Sequence, residues 1–270
     1  MSNNNQIFAI NRDEVMAIVE ARHDNPHHIL GMHQCLKDLY VNVFAPDVAQ
    51  VFVVDIANGD EYETEEIVSG FYTVKISGRK PFDYEIKTVC TTFDEAGDLV
   101  ERARVFKDPY AFPYSVDPAK VVDIISGRTS FADGFKVKDI FGVRYITLNG
   151  VSGTSFCMEV KGARRVSVVG DFNNWDASVH QLRKIDYTDI FELFIPEVIK
   201  DSKYKFSVLF YDGREELWAD PYAICYEKAP GNASMLTEFS YEYHDDEFVK
   251  ARKKNKESLN ICLLYTSPSP

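Results

Sequence analysis

The chain has 270 residues, about 45% of them apolar, which is enough for two domains with buried cores, and it has no apolar run of the ~18 residues that span a bilayer. Its 42 acidic and 30 basic residues leave a formal charge of −12, which excludes the basic footprint that nucleic acid or an anionic membrane requires and favours a neutral or cationic ligand. Cys35, Cys90, Cys157, Cys225 and Cys262 are isolated and never in CxxC spacing, so neither a disulfide framework nor a zinc site is indicated, and no metal or cofactor is expected.

The N-terminus, "MSNNNQIFAINRDEVM", lacks a charged and apolar leader, so the expected setting is the cytoplasm. The first predicted element is a short helix. Asn11 can cap it, with Glu14 at the third helical position and an Ile10–Val15 staple, and its apolar face is Val15, Ile18 and Val19. His23, His27, His28 and His33 come next, with no carboxylate at HExxH spacing, so they are read as packing the turn "HDNPHHILGMH" rather than holding a metal. From there to about residue 240 the chain reads as short strands separated by Gly, Pro, Asn and Asp, without βα alternation.

This strand region repeats itself. "APDVAQVFVVD" (45–55) matches "VKGARRVSVVGD" (160–171), "GFYTVKI" (70–76) matches "IFELFIP" (190–196), "DYEIK" (83–87) matches "KYKFSV" (203–208), and "DPYAF" (108–112) matches "DPYAI" (220–224). The order is kept and the offset stays between 112 and 120 residues. The expected fold class is therefore all-β, two tandem immunoglobulin-like β-sandwich modules with a short N-terminal helix. The expected division is 11–125, 126–240, a linker over 241–261 and an artefactual tail over 262–270, where "CLLYTSPSP" has the composition of an adaptor scar.

In the second copy, "YKFSVLFYDGREELWADPY" contains Asp212-Gly213, the signal of a two-residue hairpin. Pairing Tyr211 with Arg214 sets Ser207 against Trp218. The row Tyr204, Phe206, Val208 and Phe210 then faces the core, while Lys205, Ser207 and Trp218 face outward. A second tryptophan, Trp175, ends the strand "VSVVGDFNNWD" in a polar turn with Asn173 and Asn174. An exposed aromatic beside ammonium and amide donors suits a sugar, whose C–H face stacks on the ring while the polar groups replace water around its hydroxyls. The alternative is that Trp175 covers the sandwich edge and Trp218 packs on the loop before Pro221. The first copy has no tryptophan at either place.

With these residues in view, the chain resembles the N-terminal part of a 1,4-α-glucan (glycogen) branching enzyme over about residues 13–261. "NPHHILGMH" is similar to a DPHxxLGxH-type motif of the extra N-terminal module in long bacterial forms. "VSVVGDFNNWD", "ELFIP", "YKF", "ADPYA" and "PGNAS" resemble the glucan-binding module of starch and glycogen enzymes. Asn25 in place of the usual acid, "FGVR" at 141–144 and "EVKGA" at 159–163 depart from the pattern.

The resemblance implies α-1,4-glucan or glycogen as ligand, contacted by Trp175, Lys205, Trp218 and either Asn232 or Ser234, and the catalytic barrel of the same full-length chain as partner. It also implies retaining glycosyl transfer by an aspartate and a glutamate at strand ends of a (β/α)₈ barrel of about 250 residues, for which this chain has no room. No catalytic residue is therefore assigned, and no branching by this chain alone is expected. The rival readings are a stand-alone glycogen-binding regulatory module and a pair of immunoglobulin-like interaction modules with no sugar role.

Overall fold

The computed structural model describes residues 11–93, 97–126, 140–238, 244–248 and 250. Residues 1–237 group into one compact unit and 238–270 into another. The linker expected over 241–261 lies largely outside the described residues, and the tail over 262–270 wholly so.

Helix α1 (Arg12–Val19) starts where expected. The Asn11 side chain accepts from the Asp13 amide at 3.0 Å, and Val15, Ala17 and Ile18 are buried. Eight strands come after it: β1 (Gly31–Cys35), β2 (Asp38–Phe44), β3 (Gln50–Asp55), β4 (Glu61–Glu63), β5 (Glu65–Val68), β6 (Phe71–Ser77), β7 (Tyr84–Phe93) and β8 (Leu99–Phe106). They form two antiparallel sheets, β1-β2-β6-β5 and β4-β3-β7-β8, whose inward rows Leu39/Val41/Val43 and Val51/Val53 bury a core with Tyr72, Ile76 and Ile86. That alternation is the period-2 pattern of strands half-buried on one face.

After helix α2 (Pro118–Ile125) come β9 (Gly142–Leu148), β10 (Val151–Glu159), β11 (Ala163–Gly170), β12 (Arg183–Lys184), β13 (Ile190–Ile195), β14 (Lys203–Phe210), β15 (Glu215–Trp218), β16 (Cys225–Tyr226) and β17 (Ser234–Met235). One sheet runs β12-β13-β10-β9 and the other β11-β14-β17-β16, with β15 also paired to β14. The fold is all-β with two sandwiches, and the repeated segments occupy the same places: β3 and β11, β6 and β13, β7 and β14. Val121 of α2 packs with Phe141, Cys157, Ile185 and Ile190 of the second sandwich.

The hairpin register differs from the expected one. Phe206 faces Trp218, Ser207 faces Leu217 and Val208 faces Glu216. The Phe210 amide donates to the Arg214 carbonyl at 2.9 Å, so the loop holds three residues, Tyr211, Asp212 and Gly213, with Gly213 at φ +86°. This is the three-residue loop that ends in a left-handed glycine, and its extra residue turns every β15 side chain to the opposite face.

Candidate carbohydrate site on the second sandwich

Nearly every residue of the turn after β11 has a structural role. A Cβ on Gly170 would lie 2.3 Å from the Lys203 carbonyl oxygen, so only glycine lets the two backbones approach. The Asn173 side chain is buried. Its Oδ1 accepts from the Gly170 amide at 2.8 Å, and its Nδ2 donates to the Val168 carbonyl at 2.9 Å and lies 3.0 Å from His180 Nδ1. Asn174 and Trp175 both take left-handed backbone, φ +55° and +60°. Asparagine tolerates this and tryptophan does not, so the second is held by its surroundings.

Those surroundings are specific. The Trp175 amide donates to the Gly170 carbonyl, and its indole Nε1 donates to Asp171 Oδ1, both at 3.0 Å. The other Asp171 oxygen accepts from the Lys203 amide at 3.0 Å, tying the turn to the start of β14. With its N–H spent and 38% of its surface exposed, Trp175 keeps open ring area propped at the end of the sheet.

Two residues along β14, on the same face as Lys203, Lys205 donates to Asn232 Oδ1 at 2.5 Å, and Lys203 itself pairs with Glu227. Trp175, Lys205 and Asn232 are thus carried by the turn, strand and loop that meet around the start of β14. Ser234 is not among them. It is fully buried, and its Oγ accepts from the Asp220 amide at 2.8 Å.

The register corrects the outward face expected of Trp218. Opposite Phe206, it lies on the core side of β14, packs against the inner cluster with its ring centroid 5.9 Å from that of Phe210, and donates Nε1 to Glu216 at 2.7 Å. Asn173, named with Asn174 as a sugar-facing amide, is likewise spent inside the turn.

Sequence reasoning missed the partial cover on this face. Arg165, on β11, is 2% exposed and donates to the Ala21 carbonyl just after α1, to the Ser207 carbonyl and hydroxyl, and to Glu215. Gln181 donates to the Ile18 carbonyl at 3.0 Å. The first module therefore covers the Ser207 end of the sheet and leaves the Lys205 end accessible. His180, behind the turn, has its pKa pushed down to about 4 by burial, so it stays neutral as a brace for Asn173.

Fold and turn together define a carbohydrate-binding-module type of sandwich preceded by a second sandwich of related topology. Residues 140–223 match the family model of carbohydrate-binding module 48 (isoamylase N-terminal domain), and residues 11–110 match that of the alpha-1,4-glucan branching enzyme GlgB, N-terminal domain. The chain is thus similar to the N-terminal region of 1,4-alpha-glucan branching enzymes.

It is 31% identical over 258 residues to the 1,4-alpha-glucan branching enzyme GlgB of Paraburkholderia xenovorans, covering 93% of this chain and 33% of that one. It is 30% identical over 247 residues to that of Myxococcus xanthus, covering 90% and 32%. The chain thus spans about a third of the length of these curated relatives. Among solved structures it is similar, at 11% identity and a TM-score of 0.32, to the pullulanase of Anoxybacillus sp. LM18-11 complexed with maltotetraose, covering 88% of this chain and 29% of that one.

Proposed function

We propose that this chain is the glucan-gathering part of a branching enzyme of glycogen biosynthesis, working in the cytoplasm beside a catalytic barrel. Its second module would bind α-1,4-glucan at the rim formed by Trp175, Lys205 and Asn232. The observation that carries this reading is the construction of the turn. Two consecutive left-handed residues, a buried asparagine and a bidentate aspartate serve to hold one tryptophan partly out of the core. Strain held in this way is a common mark of a functional site.

A pyranose C–H face fits the indole. Lys205 and Asn232, already hydrogen-bonded to each other, offer an oriented donor and amide to its hydroxyls. Millimolar to tens-of-micromolar affinity corresponds to about −4 to −6 kcal/mol, enough on a polymer that offers many sites. The modules are proposed to run over 11–125 and 126–240, with α2 strapping the junction.

Glycogen affinity gels test the reading. The wild-type chain should be retarded, Trp175→Ala and Lys205→Ala should run freely, and Trp218→Ala should stay retarded as long as it folds. Equal retardation of wild type and Trp175→Ala would remove the rim from the argument. The chain alone should form no α-1,6 branches, and branching by the purified polypeptide would overturn that statement.

A further inference from the structure

The β12–β13 hairpin displays an aromatic ring for which the fold has no use. Tyr187 is fully exposed, makes no ring contact or hydrogen bond among the described residues, and sits at φ +61°, where a bulky residue is strained. The turn that holds it is closely hydrogen-bonded. Ile185 N donates to Ile190 O at 2.8 Å, the Thr188 hydroxyl donates to Ile185 O at 2.8 Å, and Thr188 Oγ1 accepts from Ile190 N at 3.0 Å.

Beside the ring opens a cleft of about 600 Å³. Phe141 and Ile190, both buried, supply its apolar lining, and Phe141 is in turn backed by Tyr222 in a stack at 5.3 Å. Its polar lining is two carboxylates, Glu159 and Asp189, and two ammonium groups, Lys161 and Lys184, with Lys184 and Asp189 3.3 Å apart. The charges balance, so the cleft favours neither an anion nor a cation. An aromatic platform with donors and acceptors at zero net charge matches a neutral polyhydroxyl chain.

We propose that this cleft is a second carbohydrate subsite for a short stretch of α-glucan. It is built on the β12-β13-β10-β9 sheet, whereas Trp175 and Lys205 belong to the β11-β14 sheet of the same sandwich. The inference rests on reading the chain as a glucan binder but not on the Trp175 rim. Two contact points on one small module let it hold a branched polymer by two chains at once.

An amide-resolved NMR titration with maltoheptaose tests it, using wild type, Trp175→Ala and Tyr187→Asn. Asparagine accepts left-handed backbone, so Tyr187→Asn removes the ring without endangering the fold. In wild type and in Trp175→Ala, amides of 159–161 and 184–190 should shift and saturate. In Tyr187→Asn their apparent affinity should fall about fivefold while the 171–175 amides titrate as before. Absence of shifts at 184–190 in wild type, or an unchanged response in Tyr187→Asn, would overturn the proposal. Shifts in the cleft without shifts at 171–175 would keep it and remove the rim. No shift anywhere removes both.

Discussion

The two sandwiches carry the same internal lock and use its far side differently. In the first, the Tyr84 hydroxyl donates to Asp108 Oδ2 at 2.7 Å and the Tyr110 amide donates to Oδ1 at 2.9 Å. In the second, Tyr204 and the Tyr222 amide do the same to Asp220 at 2.7 and 2.8 Å. Each lock presses a tyrosine onto a left-handed glycine. A Cβ on Gly31 (φ +94°) would lie 2.9 Å from the Tyr110 carbonyl oxygen, and one on Gly142 (φ +82°) 2.8 Å from Tyr222 Cβ.

The residues after the lock then diverge. In the first copy Tyr110 donates to Val179 O at 3.0 Å, Phe112 packs on Phe194 at 4.9 Å, Tyr114 lies 3.8 Å under Arg183 and Ser115 donates to Glu192. In the second, Tyr222, Ile224 and Tyr226 are 40%, 60% and 46% exposed. The "DPYA" segment is thus a closing device within a module, and the residues beyond it are free to become a junction.

The comparison can be broken most forcefully at the junction. Glu192 is fully buried, pairs with Arg183 and accepts from both the amide and the hydroxyl of Ser115. Glu192→Ala leaves Arg183 buried without its carboxylate partner and should cost about 3–5 kcal/mol in urea unfolding, whereas Glu227→Ala, in the segment after the second lock, removes a part-exposed pair with Lys203 and a backbone contact at Ala233 and should change stability far less.

Asp108, fully buried, has its pKa raised to about 6 by desolvation against the opposing pull of Tyr84 and the Tyr110 amide. Its contribution to stability is full below the ordinary carboxylate range and is lost as pH rises through about 6. The stability difference between wild type and Asp108→Asn should therefore change by about 2 kcal/mol between pH 4 and 7. His180 has the opposite sign in the same window. With its pKa lowered, it stabilises fully above its ordinary value, and this is lost as pH falls toward about 4. Melting curves of Asp108→Asn and of His180→Gln across that range separate the effects.

Gly31→Ala and Gly142→Ala should each cost roughly 1–3 kcal/mol, from left-handed strain plus a contact that must give. Similar losses in the two would show that the lock is equivalent in both copies, and a loss in only one would break the comparison. Trp218→Ala should cost about 1–2 kcal/mol for a half-buried ring, with glycogen retardation intact.

The repeat was legible because strands buried on one face leave a period-2 trace and because each lock needs the same Asp-Pro-Tyr-Ala after its tyrosine, 24 residues on in the first copy and 16 in the second. The core row Tyr204, Phe206 and Val208 was legible for the same reason. The face of Trp218 was not. Asp212-Gly213 serves a two-residue or a three-residue loop, and only the pairing of Phe210 with Arg214 chooses between them.

Two all-β modules, the helix cap at Asn11, the polar turn carrying Trp175 and the branching-enzyme resemblance can be read from the chain alone, because they arise from local pattern and from residues close along the chain. It takes the folded chain to show that Asn232 and not Ser234 meets Lys205, that Trp218 turns inward, and that Arg165 is buried beneath the end of α1. The first two depend on which residues pair across a turn or between neighbouring strands, and the last on a contact between residues 144 positions apart, Ala21 and Arg165, that no periodicity in the chain records.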